Sequence, residues 1–575
     1  METVNLLELK KVDSSKVAYT LFDEFRGLVD ENHIYLKSIV CAFVINKMQT
    51  TMQYSNLEEF IEKANLTNEQ REIISQNAID CWDIIVSNLS KFTSFELLAF
   101  ILFYNPSTGI KGPSMSTPDD LLDLTLSTLN IEDTDEVLEL CSGKGNFIIE
   151  ATAKGCLSKY TGVELNLTEI TIAKLRTSVI RENYEYILHD ALEFRLGRKA
   201  NKIFANYPFM MRSPAIIEYK KQLEKSIDLP KDIIRRASSD WLFNLAIMEQ
   251  LDVNGKAVVI MTNGSTWNNN DEKIRQYFVE NGYIESVVSL APRLFEETAI
   301  PVSLVVLSHN NEKVRLVDAK NMFKSERRKN VLTERNIKDI LNMLDNDTDL
   351  STTKTIKELS ENEFILNASR YFEVLPTVEN GVEFEALIKK ITRGSQLKAS
   401  DFDEYKSSTP TNYQYLILSN INDGVITLNN DEQYLKEIPE NLEKYCIKNN
   451  SIVLSKIGMP TFKSAVAQFD EDTKVVANGN LFIIELDENK VNPFYIQAFL
   501  ASDLGEATLK SIYTGGAIPT ITLEKLKRMM IPVPSLQEQE VIAQKYAAAV
   551  DELIILNRKV EKTKDRMKHI FEEGK

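Results

Sequence analysis

A chain of 575 residues, 43% of them hydrophobic, holds about three or four domains of ordinary size and has no low-complexity tract. Its formal net charge of −17 excludes a basic nucleic-acid-binding character for the molecule as a whole, but not a local basic face. Five scattered cysteines without a CxxC pair, with the four histidines elsewhere, exclude an evident zinc site and fit a reducing, cytoplasmic compartment. The N-terminus METVNLLELKKVDSS has no signal pattern. The longest apolar run, Ile39 to Ile45, is too short to cross a membrane, which takes ~18 residues or more.

Residues 1–111 are expected to form an N-terminal helical domain: Leu57 to Ala64, Asn68 to Leu89 and Ser94 to Tyr104 carry apolar residues at three- and four-residue spacing, and Asn105 to Gly109 breaks the pattern. From 112 to 320 short β-rich runs alternate with helical stretches, beginning with EVLELC (136–141), TGVEL (161–165), YILHDAL (186–192) and KIFANY (202–207) and continuing with AVVIMTN (257–263), IESVVSL (284–290) and SLVVLS (303–308). That alternation predicts an α/β fold with a doubly wound, mostly parallel sheet, the last two runs forming an antiparallel edge pair. Residues 321–368 read as a charged connector with a helical piece at Glu334 to Leu344. Residues 369–534 are again β-leaning, with turns at Asn422-Asp423-Gly424 and Asn478-Gly479-Asn480. From 535 to 575 a long helix is expected, with Ile542, Tyr546, Val550, Leu553, Leu556 and Val560 along one stripe.

VLELCSGKGNF (137–147) reads as strand, loop and helix. Gly143 and Gly145 permit a tight turn and close approach of a ligand, and the amides opening the helix favour an electronegative group. Glu139 ends the first strand, where a carboxylate can meet a cation. Glu164 ends the second, where an acidic residue takes ribose hydroxyls, and Asp190 ends the third, within reach of an adenine amine. Each alone is an ordinary strand-end carboxylate; together they outline a nucleoside pocket. GKGN is neither GxGxxG nor GxxxxGK[ST], which disfavours a dinucleotide and excludes a P-loop.

The fourth strand ends in Asn206-Tyr207-Pro208-Phe209. If the nucleoside is S-adenosylmethionine, the methyl needs an in-line nucleophile. An exocyclic base amine qualifies once its hydrogens are held by two acceptors, the Asn206 side-chain oxygen and the Tyr207 carbonyl. Pro208 restricts Tyr207 to extended backbone, and Phe209 offers a face for a base swung out of its duplex.

On these residues the chain resembles the N6-adenine DNA methyltransferases of the type I modification-subunit kind, whose motif is NPPF or NPPY; Tyr207 replaces the first proline. The resemblance covers roughly residues 105 to 310. GPSMSTPDDL (112–121) is similar to the family's segment ending in Thr-Pro, which implies that Thr117 helps to close the cofactor pocket, together with Ser142 and Asn146 of the loop. Asp240 to Phe243, VNGKAVVIMTNG (253–264) and LFEETAIPVSLVVL (294–307) follow the family's order. The resemblance implies a Rossmann-like methyltransferase sheet, S-adenosylmethionine as cofactor, no metal, and methyl transfer to N6 of a flipped adenine in double-stranded DNA within a restriction-modification or defence system. Alternatives are RNA-adenine or protein-amine methylation, or an inactive methyltransferase fold used for DNA recognition, for which Tyr207 is the one sequence support.

FILNASRYF (364–372) opens a region that resembles one target-recognition domain of a type I specificity subunit, through Ile391 to Gly394, QYLILSNINDGVI (414–426), NNSIVLSKIG (449–458) and GGAIPTITLEKLKRMMIPVPSLQEQEVIA (515–543). Ser535 with Glu538 reads as a capping box. Arg370, Arg393, Lys398, Lys456, Lys463, Lys510, Lys525, Lys527 and Arg528 are candidates for phosphate contact. A specificity subunit ordinarily has two such domains and two long helices. With one of each, the helix is expected to find its partner in a second copy, giving a homodimer that reads a two-part DNA site. No PD…(D/E)xK constellation is evident. Pro118-Asp119-Asp120 belongs to the cofactor-side segment, so no cleavage is expected from this chain alone, and the sequence is silent on a separate translocase-nuclease subunit.

Overall fold

Parallel strands must be covered on both faces, and the apolar runs from residue 136 onward build such a sheet. The computed structural model describes all residues except 1–4, 50–53, 107–115, 227–228, 373–377, 379–380, 398, 429–432, 459–460, 515–519 and 574–575, and it divides into two units, Met1–Phe372 and Glu373–Lys575. The motif residues at 112–115 and 515–519, and Lys398, therefore lie outside the described residues.

The first unit holds a nine-stranded sheet: β1 Glu136–Leu140, β2 Lys159–Glu164, β3 Tyr184–Leu188, β4 Ala200–Ala205, β5 Leu251–Thr262, β6 Ile284–Ser289, β7 Val302–Leu307, β8 Lys313–Asp318 and, after a two-stranded hairpin of β9 Lys324–Ser325 with β10 Asn330–Val331, β11 Ser351–Thr355. The order is β11-β8-β6-β7-β5-β4-β1-β2-β3. Strands β1 to β5 are mutually parallel, and the order reverses at β1, whose neighbours are β2 and β4. A crevice at that switch point, beyond the carboxyl ends of the strands, is where such sheets bind ligands.

Two expectations need correction. The antiparallel pair β6·β7 exists, but it is interior: β7 also pairs antiparallel with β5, and all six of its residues are buried. The segment 321–368 is not a connector. It supplies the edge strand β11, paired antiparallel with β8, and helix Glu334–Asp345, whose Ile340 and Met343 are buried in the core on one face of the sheet.

The helical segment is organised around helix Glu31–Gln49, in which every residue from Ile39 to Ile45 is at most 2% exposed. A run apolar on all sides is here a core helix, and no described helix is long and apolar enough to cross a membrane. The helix expected over 68–89 is interrupted: Asn68–Asn77 and Trp82–Asn88 flank a tighter turn at Ile79–Cys81, where Ala78 leaves helical backbone (φ −107°, ψ 0°). Nor is this segment a separate body. Its core is completed by Ile149, Ile172 and Leu175 from the sheet-covering helices, and the buried Arg176 guanidinium donates to the carbonyls of Ile101 (2.8 Å) and Leu102 (2.5 Å).

In the second unit a four-stranded antiparallel sheet runs Ile388–Arg393, Leu481–Leu486, Ile452–Ser455, Ser464–Val466. The turn at Asp423-Gly424 has both residues at positive φ (49° and 79°), as a two-residue hairpin requires. Helix Leu536–Glu573 begins with the expected box, Glu538 N donating to Ser535 Oγ (3.4 Å) and Ser535 N to Glu538 Oε2 (3.0 Å). Its first turns lie along helix Pro493–Leu500, with Gln539 accepting from Asn492 N (2.9 Å) and Ala543 3% exposed. The expected stripe is not one covered face. Tyr546, Val550 and Leu553 are half-buried, whereas Ile542, Leu556 and Val560 are exposed.

Candidate active site

A cavity of about 660 Å³ opens at the carboxyl ends of β1, β2 and β4. Thr117, Glu139, Ser142, Gly143, Asn146, Glu164, Asp190 and the four residues Asn206 to Phe209 all line it. Gly145 does not. It sits behind the loop at φ 77°, where a Cβ would collide with the Tyr186 hydroxyl and crowd Ala173, so its role is close packing of the loop on the next helix. Cys141, which sequence reasoning passed over, lines the cavity and takes a left-handed backbone (φ 62°) just ahead of Gly143 (φ 52°). Two such residues reverse the chain between β1 and its helix, at a strain of about 1 kcal/mol or more for the non-glycine one.

The carboxylates differ in what already occupies them. Glu164 accepts from the amides of Gly143 (2.8 Å), Leu165 (2.9 Å) and Asn166 (2.8 Å), so it shapes the glycine loop as well as facing the cavity. Burial pushes its carboxyl up, against the pull of those amides. Glu139 is 4% exposed and accepts from the Tyr160 hydroxyl (2.5 Å). Burial raises its carboxyl well above the usual range, and the Glu164 charge adds to this. Asp190 accepts from Leu192 N through one oxygen (2.9 Å). The Ser142 hydroxyl is buried in the cavity wall without a hydrogen-bond partner among the described residues. A buried carboxyl without a cation among the described residues, and an orphan hydroxyl, around a space of this size, fit a cationic nucleoside. Among the described residues there is no cluster of three or more His, Cys, Asp or Glu arranged to hold a metal.

Asn206 donates from Nδ2 to Thr117 Oγ1 (2.8 Å). That bond fixes the amide with Oδ1 left over, and no donor among the described residues meets either Oδ1 or the Tyr207 carbonyl. The Tyr207 side chain turns into the core. It is 1% exposed, stacks on Phe243 (centroids 4.6 Å apart, planes at 8°) and donates its hydroxyl to Asn244 Oδ1 (2.9 Å). The motif's second residue is thus anchored from beneath where the family has a stiff ring. Phe209 meets Phe295 edge-on (5.5 Å, 88°), and the chain then leaves through Met210 at φ 51°, held by Met211 N donating to Ser239 Oγ (2.9 Å). Asn146 spends its side chain on structure, donating to Ser116 Oγ (2.5 Å) and accepting from Arg176 (2.7 Å), which also donates to Lys144 O (2.6 Å). Arg176, Phe243 and Phe295 were not among the expected site residues, although DWLF and LFEETAIP contain the last two.

Asp119 and Asp120, weighed above as nuclease carboxylates, have structural partners: Asp119 pairs with Lys10 (3.1 Å) and Asp120 accepts from Leu332 N (2.5 Å). Several candidate phosphate contacts are likewise engaged. Lys510 pairs with Glu506 (2.7 Å), Lys527 with Glu385 (2.7 Å) and Arg528 with Glu524 (2.9 Å), while Arg370 lies in the first unit.

Residues 99–380 match the family model N-6 DNA Methylase, and residues 388–563 match that of the Type I restriction modification DNA specificity domain. The methylase subunit of the type I restriction enzyme MjaIX from Methanocaldococcus jannaschii is 29% identical over 171 residues, 27% of this chain and 30% of that protein. The MjaVII methylase subunit from the same organism is 24% identical over 401 residues, 63% of this chain and 68% of the other. The chain thus spans less than a third of the first relative's length. The solved structure of the type IIG restriction endonuclease BpuSI is similar with a TM-score of 0.50 at 12% identity, over 93% of this chain and 74% of that one, a likeness of fold.

Proposed function

The chain is a methylase domain of the N-6 DNA methylase family joined to a type I restriction-modification specificity domain, and from that premise we propose that it transfers a methyl group from S-adenosylmethionine to N6 of an adenine flipped out of double-stranded DNA. The observation that carries this reading is the pair of unengaged acceptors, Asn206 Oδ1 and the Tyr207 carbonyl, on the wall of the cavity that also holds Glu139 and Glu164. Bound there, S-adenosylmethionine supplies an electrophilic methyl on a sulfonium. Glu139 offers a carboxylate to a cation, Glu164 and Asp190 keep lone pairs for hydroxyls and an amine, and the Ser142 hydroxyl gains a partner. Asn206 Oδ1 and the Tyr207 carbonyl each accept one hydrogen of the adenine amine, which draws its lone pair out of conjugation, and Phe209, buttressed edge-on by the buried Phe295, offers a face to the base. Tyr207 in place of proline was the support for an inactive scaffold; burial of its ring under Phe243 and its bond to Asn244 favour an active site instead.

The test is incorporation of labelled methyl into duplex DNA, with the modified bases mapped by sequencing. Asn206→Ala should lower the rate roughly 10²–10³-fold, as loss of one preorganised hydrogen-bonding group does. Thr117→Val, which frees the Asn206 amide to rotate, should lower kcat, and Thr117→Ser should restore it. Equal incorporation by wild type and Asn206→Ala would defeat the mechanism. The proposal includes a homodimer through the C-terminal helix, and a separate subunit for any cleavage.

A further inference from the structure

Strand β8 runs parallel to β6, so its carboxyl end lies on the sheet edge that carries Asn206. There the chain forms the hairpin β9–β10, closed by Glu326 N donating to Lys329 O (2.9 Å), with a tip that reads Glu326-Arg327-Arg328-Lys329. Lys324, Arg327 and Arg328 are exposed and Lys329 is half-exposed. Exposed Arg293, from the loop after β6, lies against the tip and donates to the Arg328 carbonyl (3.4 Å). Five cations thus gather around two acids, Glu326, which pairs with Lys324 (3.3 Å), and Asp120, whose carboxylate Lys329 faces. A merely solvated face ordinarily intersperses both signs. This clustering is the more notable in a chain of net charge −17.

The ridge is anchored to the substrate side of the site. Asn330 donates from its backbone to Arg293 O (2.7 Å) and from its side chain to Pro292 O (2.8 Å), immediately before Leu294 and the Phe295 ring that meets Phe209. Leu332 N donates to Asp120, three residues beyond Thr117. Between β4 and β8 lie four strand spacings, about 19 Å, a length of duplex axis that carries some five to six phosphates on each strand at a rise of about 3.4 Å.

We propose that hairpin 324–331, with Arg293, is a phosphate-binding ridge by which the methylase unit itself grips the DNA backbone beside the extruded base. This rests on the methyltransferase reading above. The contacts fix the duplex relative to the cavity and carry no sequence information.

The experiment uses the full chain with Arg327→Gln, Arg328→Gln and Lys329→Gln combined, and measures binding to duplex DNA by fluorescence anisotropy across a salt series. Each lost phosphate contact removes about 0.9 from the slope of log affinity against log salt, so the slope should fall by about 2 to 3, with at least tenfold weaker binding at low salt for cognate and unrelated duplex alike. The single variant Arg327→Glu should move in the same direction. S-adenosylmethionine affinity at the wild-type value, by calorimetry, reports an intact fold. A slope within about 0.5 of wild type in both variants identifies a solvated face only and overturns the proposal. Absence of methyl transfer to DNA by the wild type would instead overturn the function on which it rests.

Discussion

Glu139 is a carboxyl almost wholly withdrawn from water, and among the described residues it meets one hydrogen-bond donor and no cation. Burial raises its proton affinity well above the ordinary value of 4.5. The sign follows: below that ordinary value folded and unfolded chains are both protonated, whereas above it the fold holds a proton that the unfolded chain releases. Stability contributed by this group is therefore lost as pH rises through the raised value. A sulfonium beside Glu139 favours the carboxylate, so binding of S-adenosylmethionine should release a proton and tighten as pH rises over the same interval. The neutral thioether S-adenosylhomocysteine should show little of this trend, and Glu139→Gln should abolish the difference. Calorimetry in buffers of different ionisation enthalpy reads the proton directly; parallel pH profiles for the two ligands would rule out the contact. That Glu139, Glu164, Asp190 and Asn206 share one cavity wall was legible in the sequence because each lies at or within two residues of the carboxyl end of a strand, and such ends converge at a switch point whatever the loops do. Arg176 was not, because its partners Ile101 and Leu102 lie 75 and 74 residues away and nothing local marks it as more than a helix-surface arginine.

At the scale of elements, what escaped the sequence is what lacks a period. The middle of helix Glu31–Gln49, Ile39 to Ile45, is apolar on every side, and β11, Ser-Thr-Thr-Lys-Thr, is a polar edge strand that alternation cannot flag; both are defined by what packs on them. The same dependence makes the helical segment part of the site. Helix Leu167–Thr177 lies between the glycine loop and helix Ser94–Phe103, and Arg176 ties both to it: carbonyls of Ile101 and Leu102 on one side, Lys144 O and Asn146 Oδ1 on the other. Arg176→Met keeps the stem and removes five donors, leaving four acceptors unmet in a site 1% exposed. A loss of about 3–5 kcal/mol in unfolding free energy is expected, together with weaker cofactor binding in the fraction that stays folded, because the loop loses its strut. Urea unfolding and calorimetry check the two effects. Unchanged stability would mean that the helical segment is held by apolar packing alone.

The largest scale is set by the distal half of helix Leu536–Glu573. Counting on from Tyr546, positions Ala549, Leu553, Leu556, Val560, Thr563, Met567 and Ile570 alternate by three and four residues, a 3.5-residue period that a straight helix cannot keep on one face unless it supercoils with a partner. Leu556, Val560, Met567 and Ile570 are 48%, 49%, 65% and 58% exposed, and the helix carries charge around them. Burying each leucine or methionine is worth about 1.5–3 kcal/mol. Leu556→Glu with Met567→Glu strips four such side chains from a pair of helices, about 6–12 kcal/mol, which equals or exceeds the ~8 kcal/mol of a micromolar complex. The doubly substituted chain should be a monomer by light scattering at micromolar concentration, and its circular dichroism melt should lose the dependence on protein concentration that a helix pair confers, while the globular core stays folded because both residues stand clear of it. Lys562→Glu, one residue off the seam, should remain a dimer. Each monomer then carries one recognition domain, so its footprint on DNA should shrink to one half-site and its affinity for a two-part site should fall to that for either part. A wild-type chain that is monomeric both free and on DNA would leave the heptad to a different protein's helix.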